Sequence, residues 1–168
     1  MISFPERKIN MVRNVLILYY SQFGNTAKLA SAIHRQTGAD ILRLQVSQGY
    51  FPDDMEEIDR IFKSDNQNGR LPQIITELPE LHYYDTILVG GPVWDGKVSS
   101  PIVGLLRMIR DYQGKVVPFS TGWSDTGNYQ ANFVAHAGKL KIADGYHVLT
   151  HTTPKYSPSS LASWLRKL

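Results

Sequence analysis

Apolar residues fall in two kinds of pattern along this chain. Val15-Leu16-Ile17-Leu18-Tyr19-Tyr20 is an unbroken apolar run, short and without alternation. That is the mark of a strand covered on both faces. Ser21 to Asn25 interrupts it. From Thr26 onward, Ala27, Leu29, Ala30, Ala32 and Ile33 recur at helical spacing, and Gly38 is a stop signal. Ile41 to Val46 predicts a second strand. Asp53 to Lys63 predicts a helix with Met55, Ile58 and Ile61 or Phe62 inward, followed by a loop at Asn66-Gln67-Asn68-Gly69 and a further helical turn before Pro79.

The alternation then repeats. Thr86 to Gly91 is a third buried strand, Pro92 to Ser100 a loop, and Pro101 opens a helix over Ile102–Arg110. Lys115 to Ser120 is a fourth strand, although Pro118 is awkward in a central position. Thr121 to Asn128 is a loop, Gln130 to Ala137 a helix, and Tyr146 to Thr150 a fifth strand. Ser157 or Ser159 caps a last helix through Leu168. Five strand-then-helix units predict an α/β fold whose parallel sheet has helices on both faces. In such sheets ligands sit beyond the carboxyl ends of the strands, so the loops after the strands carry the candidate chemistry.

Composition narrows that chemistry. The chain has 168 residues, fitting one domain, and no cysteine. Disulfides, thiolate metal sites, Fe–S clusters and cysteine nucleophiles are thereby excluded, and a reducing cytoplasm is the expected setting. Net charge is +3, with 18 basic and 15 acidic residues scattered rather than in runs. No nucleic-acid partner is expected. No apolar run reaches the roughly 18 residues that span a bilayer, so no membrane insertion is expected either. Residues 1–13 are expected to be an arm ahead of a domain at 14–168.

Ser21-Gln22-Phe23-Gly24-Asn25-Thr26 joins the first strand to the first helix. Hydroxyls flank a glycine where a helix N-terminus offers unpaired amides and a partial positive charge, an anion site that needs no lysine. An ordinary turn capped by Asn25 or Thr26 is the plain alternative. A Walker loop would need a lysine before Thr26, and the dinucleotide G-x-G-x-x-G pattern is absent. The loop resembles the phosphate loop of flavodoxins, usually Ser/Thr-x-Thr-Gly-Asn-Thr/Ser, with Phe23 replacing the common threonine.

Two further loops extend that resemblance. Pro92-Val93-Trp94-Asp95-Gly96 follows the third strand and is similar to the loop that lines the isoalloxazine in one branch of the family. Thr121-Gly122-Trp123-Ser124, with Gly127 and Tyr129, follows the fourth and is similar to the second ring-flanking loop. Trp123 or Tyr129 supplies the other face of the ring. The plain alternative for each aromatic is a packing role. The resemblance covers about Val15 to Leu168. It implies a flavodoxin-like three-layer sandwich, a five-stranded parallel sheet in order 2-1-3-4-5, and FMN at its edge. Many flavodoxins carry glycine directly after the ring-flanking residue; here Asp95 follows Trp94, and its charge disfavours an anionic reduced flavin.

Ser21 to Thr26 are thus expected to hold a phosphate. Pro92 to Gly96 and Thr121 to Ser124, with Tyr129, are expected to enclose the ring. No side-chain acid or base is expected for the electron step. No metal site is expected: His147 and His151 are four apart on a strand, about 13 Å. The expected function is electron transfer to a redox partner protein or a small-molecule acceptor, by a monomer or homodimer. Acidic residues such as Asp53, Asp54, Glu56, Glu57 and Asp125 are candidates for a locally negative docking surface. The alternative is an FMN-dependent NAD(P)H:quinone oxidoreductase of the same fold, which the slightly basic charge favours. A non-redox binding module is a third possibility, since fold alone does not fix function.

Overall fold

The computed structural model describes residues 14–151 and 156–168; the expected arm at 1–13 lies outside them. Strand β1 (Val15–Tyr19) shows why its run carries no polar position. Leu16 and Leu18 enter one buried cluster, while Ile17 and Tyr19 enter the other. Both faces are covered, so each residue is apolar whichever way it points. β3 (Thr86–Trp94) and β5 (Lys115–Gly122) lie beside it in parallel register, and β2 (Asp40–Arg43) closes the other edge.

β6 (Lys141–Ile142) and β7 (Tyr146–Leu149) share the place beyond β5. The order is therefore 2-1-3-4-5 as expected, with β5 as the fourth strand and β6 and β7 together as the fifth. This split explains Pro118. β6 pairs with Lys115 and Val116, and β7 with Phe119 to Gly122, so Pro118 falls where one partner has ended and the next has not begun. The carbonyl of Val116 faces that side, accepting from the Ala143 amide at 3.0 Å. Two residues on, Pro118 faces the same way, and its missing N–H costs no ladder bond.

Helices α1 (Asn25–Thr37) and α5 (Pro158–Leu165) cover one face of the sheet; α2 (Met55–Asn68), α3 (Ser100–Met108) and α4 (Tyr129–His136) cover the other. Gly38 ends α1 in the left-handed region at φ 68°. Ser157 caps α5, its hydroxyl accepting from the Ser160 amide at 3.0 Å. Among the described residues no helix is long and apolar enough to cross a membrane.

Two sequence expectations are corrected here. Asn66 to Asn68 belong to α2 rather than to a loop: they lie on its exposed side, where polar residues are tolerated, and the stop is Gly69. The stretch before Pro79 is extended, not helical. The Ser47 amide donates to the Gln73 carbonyl at 3.0 Å and the Ile75 amide to the Gln45 carbonyl at 2.9 Å. Val46 and Ile74 thus form an antiparallel bridge just beyond the end of β2.

Candidate functional site

The loop after β1 is organised around one hydroxyl. Ser21 is buried, and its Oγ accepts from the amides of Gly24 and Ala27, each at 3.1 Å. Gly24 takes φ 97°, a conformation for which glycine is suited, and open space faces it where a side chain would begin. The first-turn amides of Asn25 and Thr26 have no intrahelical acceptor by construction. They remain at the positive end of α1. Thr26 is pinned from below, its Oγ1 lying 2.7 Å from that of Thr121 at the end of β5. Gln22 is committed sideways, accepting from the Tyr20 hydroxyl and donating to the Pro52 carbonyl at 3.1 Å.

The loop after β3 is a hairpin. Trp94 pairs with Lys97 across the two-residue turn Asp95-Gly96, and β4 (Lys97–Val98) runs back antiparallel. Both turn residues have positive φ, 50° and 67°. Asp-Gly is a preferred pair for that turn type and was the signal in the sequence for a hairpin where a plain loop was expected. The turn is clamped to the loop after β5. Gly127 (φ 57°) packs directly on the backbone of Gly96, and the Asn128 amide donates to the Gly96 carbonyl at 3.3 Å. Asn132 of α4 accepts from the Val98 amide at 2.9 Å. Backbone contacts thus join the loops after β3 and β5.

Beyond the carboxyl ends of β1, β3 and β5 lies a cavity of about 510 Å³. Ser21, Gln22, Phe23, Asn25 and Thr26 line it from one side. Pro92, Val93 and Trp94 line it from β3, Thr121 from β5 and Trp123 from the loop that follows. Sequence reasoning missed Met55 and Thr150. Met55, expected inward, is 42% exposed at the cavity mouth because it begins α2, ahead of the helix's buried stripe at Ile58 and Phe62. Thr150 follows β7; its amide and hydroxyl both donate to the Gly122 carbonyl, at 2.7 and 3.1 Å. Its place at a strand's carboxyl end was the available signal. Among the described residues, none lining this cavity is ionisable.

The three aromatic candidates separate by burial. Trp94 is 2% exposed and meets Tyr20, Phe51 and Phe62 nearly edge-on, at centroid distances of 6.0, 5.1 and 5.6 Å. Enclosed by these rings, it lines the cavity as the floor beneath the hairpin. Tyr129 is 1% exposed, packs on Phe133 and His147, and does not line the cavity. Trp123 is 70% exposed at the rim, with Phe23 at 53% beside the same opening. Gly24, Asp95, Gly96, Gly122 and Ser124 shape the loops without lining the cavity. The Asp95 carboxylate instead faces Lys63 and Lys97 at 3.9 and 3.8 Å.

Beneath the loop after β5, His147 is held by two hydrogen bonds. Gln130 Nε2 donates to the Ala143 carbonyl at 3.1 Å, which turns its Oε1 toward His147 Nε2 at 2.9 Å. Nε2 is therefore the donor, and Nδ1 accepts from the Ser120 hydroxyl at 2.7 Å. Burial holds its pKa below the usual 6.5, and burial and Arg107 do the same for His136. For a base disfavoured as a cation when folded, the unfolded chain binds more protons between the two pKa values. Stability is accordingly expected to fall as pH drops from 7.5 through 6.5 toward 5. Urea midpoints across that range should show it, with a shallower decline in His147→Gln. An unchanged slope in that variant would contradict the assignment.

Residues 14–168 match the family described as flavodoxin. A flavoprotein from Lactobacillus acidophilus NCFM, solved in complex with FMN, is 30% identical with TM-score 0.76; the match covers 80% of this chain and 93% of that one. The apo-form of the flavoprotein from the same organism is 31% identical with TM-score 0.67, over 80% of this chain and 91% of that one. The two-electron reduced flavodoxin of Megasphaera elsdenii shares the fold at 17% identity and TM-score 0.52, over 92% and 99%. No curated protein matches the chain. With the parallel sheet, its strand order and the three loops at its carboxyl edge in place, the family match shows that this chain belongs to the flavodoxin family.

Proposed function

We propose that this chain binds FMN non-covalently in the cavity beyond β1, β3 and β5 and serves electron transfer. The carrying observation is the cavity's two-ended chemistry. One end is the Ser21–Thr26 loop, with amides at a helix start and an open approach over Gly24. The other is apolar, with Trp123 exposed at its rim. A phosphate suits the first and a flat ring the second, and a volume near 510 Å³ is within the usual range for such ligands. When bound, the flavin supplies the redox chemistry.

The chain's own part is to bind and orient. The Ser21 hydroxyl and the amides of Asn25 and Thr26 take the phosphate; Phe23, Gly24 and Gln22 shape its approach. Trp123 covers one side of the ring. Pro92, Val93 and the hairpin over Trp94, Asp95 and Gly96 bound the other, with Thr121, Gly122 and Ser124 closing the end. Tyr129 supports the second loop from the core. The absence of cysteine suits a cytoplasmic setting.

One observation favours the second reading, an FMN-dependent NAD(P)H:quinone oxidoreductase. Phe23, Met55 and Trp123 form an exposed apolar rim around a cavity whose described lining carries no ionisable side chain. Such a rim suits an uncharged, flat acceptor better than a charged protein surface. The absorption spectrum of the purified protein, followed during addition of NADPH and then dithionite, separates the two. An electron carrier is expected to show flavin bands that NADPH bleaches slowly and dithionite bleaches at once. Rapid bleaching by NADPH with reoxidation by a quinone would replace the carrier with the reductase.

A further inference from the structure

Arg43 ends β2, paired with Tyr19 at the carboxyl edge of the sheet. Its Nη2 donates to the main-chain carbonyl of Ser21 at 2.6 Å. The same serine, through its side chain, holds the amides of Gly24 and Ala27 on the cavity side. Arg43 itself lines a separate hollow of about 500 Å³ behind the loop, with Tyr20 and Ser21 in its wall. Ser21 is thus the partition between a guanidinium and the proposed phosphate position.

The charges around this partition are one-sided. Among the described residues Arg43 makes no ion pair. Its field is felt locally: burial pushes the Tyr20 phenol up to about 12, and Arg43 acts against that rise. Lys28, on α1, is exposed and does not line the cavity. A phosphate in the loop would therefore meet amides and hydroxyls but no direct counter-ion from the described lining. Arg43 is itself exposed, so its charge reaches an anion across Ser21 partly screened by water and salt, yet still lowers that anion's energy at this short range. Its charge-assisted bond also fixes the Ser21 peptide.

We propose that Arg43 is a positioning and specificity residue of the phosphate loop, selecting a flavin that carries the 5′-phosphate over riboflavin, the same ring without it. This rests on the FMN reading above. The test uses the full chain stripped of flavin and titrated separately with FMN and with riboflavin, following flavin fluorescence. Arg43→Met is expected to weaken FMN about tenfold while riboflavin changes by less than about twofold. Arg43→Lys, which keeps the charge but not the planar fork, is expected to recover part of that loss. The FMN-specific effect should shrink as salt rises. Equal weakening of both flavins, or of neither, overturns the role given to Arg43. If the unaltered protein binds neither flavin, it is the FMN reading that fails. Melting curves of the flavin-free variants show whether each is folded; should Arg43→Met not fold, Arg43→Lys and Arg43→Gln carry the same FMN-against-riboflavin comparison.

Discussion

Gly127→Ala is expected to destabilise the protein by about 2–4 kcal/mol and to weaken FMN binding with it. Two costs add. Gly127 sits at φ 57°, where a Cβ is strained. That Cβ would also collide with the Gly96 carbonyl oxygen and stand 2.6 Å from the Gly96 Cα. Both neighbours are backbone, and Gly96 is itself fixed in the Asp95-Gly96 turn between β3 and β4. Neither side can swing away as a long side chain would, so one loop must leave the other. The Asn128-to-Gly96 hydrogen bond goes with it, and the loop after β5 loses its tie to the hairpin that borders the cavity. Urea unfolding and an FMN titration of the variant measure the two effects. Stability within about 0.5 kcal/mol of the unaltered chain would contradict the clamp.

Ser21→Ala is expected to weaken FMN about 100-fold, with a smaller loss of stability. Ser21 is 5% exposed, and its single oxygen serves two amides. Removing it leaves the half-buried Gly24 and Ala27 N–H groups without that acceptor. It also deletes the one side-chain hydroxyl at the start of the phosphate loop. Ser21→Thr keeps the oxygen and is expected to retain most of the affinity. Equal affinities for Ser21→Ala and the unaltered protein would place the phosphate elsewhere.

Much of this was legible in the sequence because local pattern and tertiary environment agree. The run from Val15 to Tyr20 is apolar at every position because β1 and its extension face a covered layer on either side. Gly38 ends α1 for a reason visible in the letters alone. The loops fell at strand ends because each lies between an apolar run and a helical repeat. The fate of Pro118 was not legible, since strands of two residues such as β6 have no period to detect. Nor was the length of α2: Asn66-Gln67-Asn68 has a loop's composition, and only its place on the exposed side of a helix already anchored by Ile58 and Phe62 lets it stay helical. The Asp95-Gly96 hairpin is legible, since Asp-Gly is a preferred pair for a two-residue turn.

The aromatic residues mark the real limit. Trp94, Trp123 and Tyr129 all lie in or beside loops at the sheet's carboxyl edge, and nothing in their spacing says which one is free. That depends on what surrounds them. Trp94 is enclosed by Tyr20, Phe51 and Phe62, which come from three separate stretches of chain, and Tyr129 by Phe133 and His147. Trp123 is left exposed at the rim. Arg43 is likewise not legible from its letters: a strand-end arginine becomes part of the loop only through the pairing of β2 with β1.

The most direct test of the FMN site is a fluorescence titration of the flavin-free protein with FMN, run beside Trp123→Leu. Saturation at one FMN per chain is expected, with loss of flavin and tryptophan emission. Trp123→Leu is expected to keep the fold and bind about tenfold more weakly. No saturable binding by the unaltered protein, or binding that Trp123→Leu leaves untouched, would rule out the FMN site.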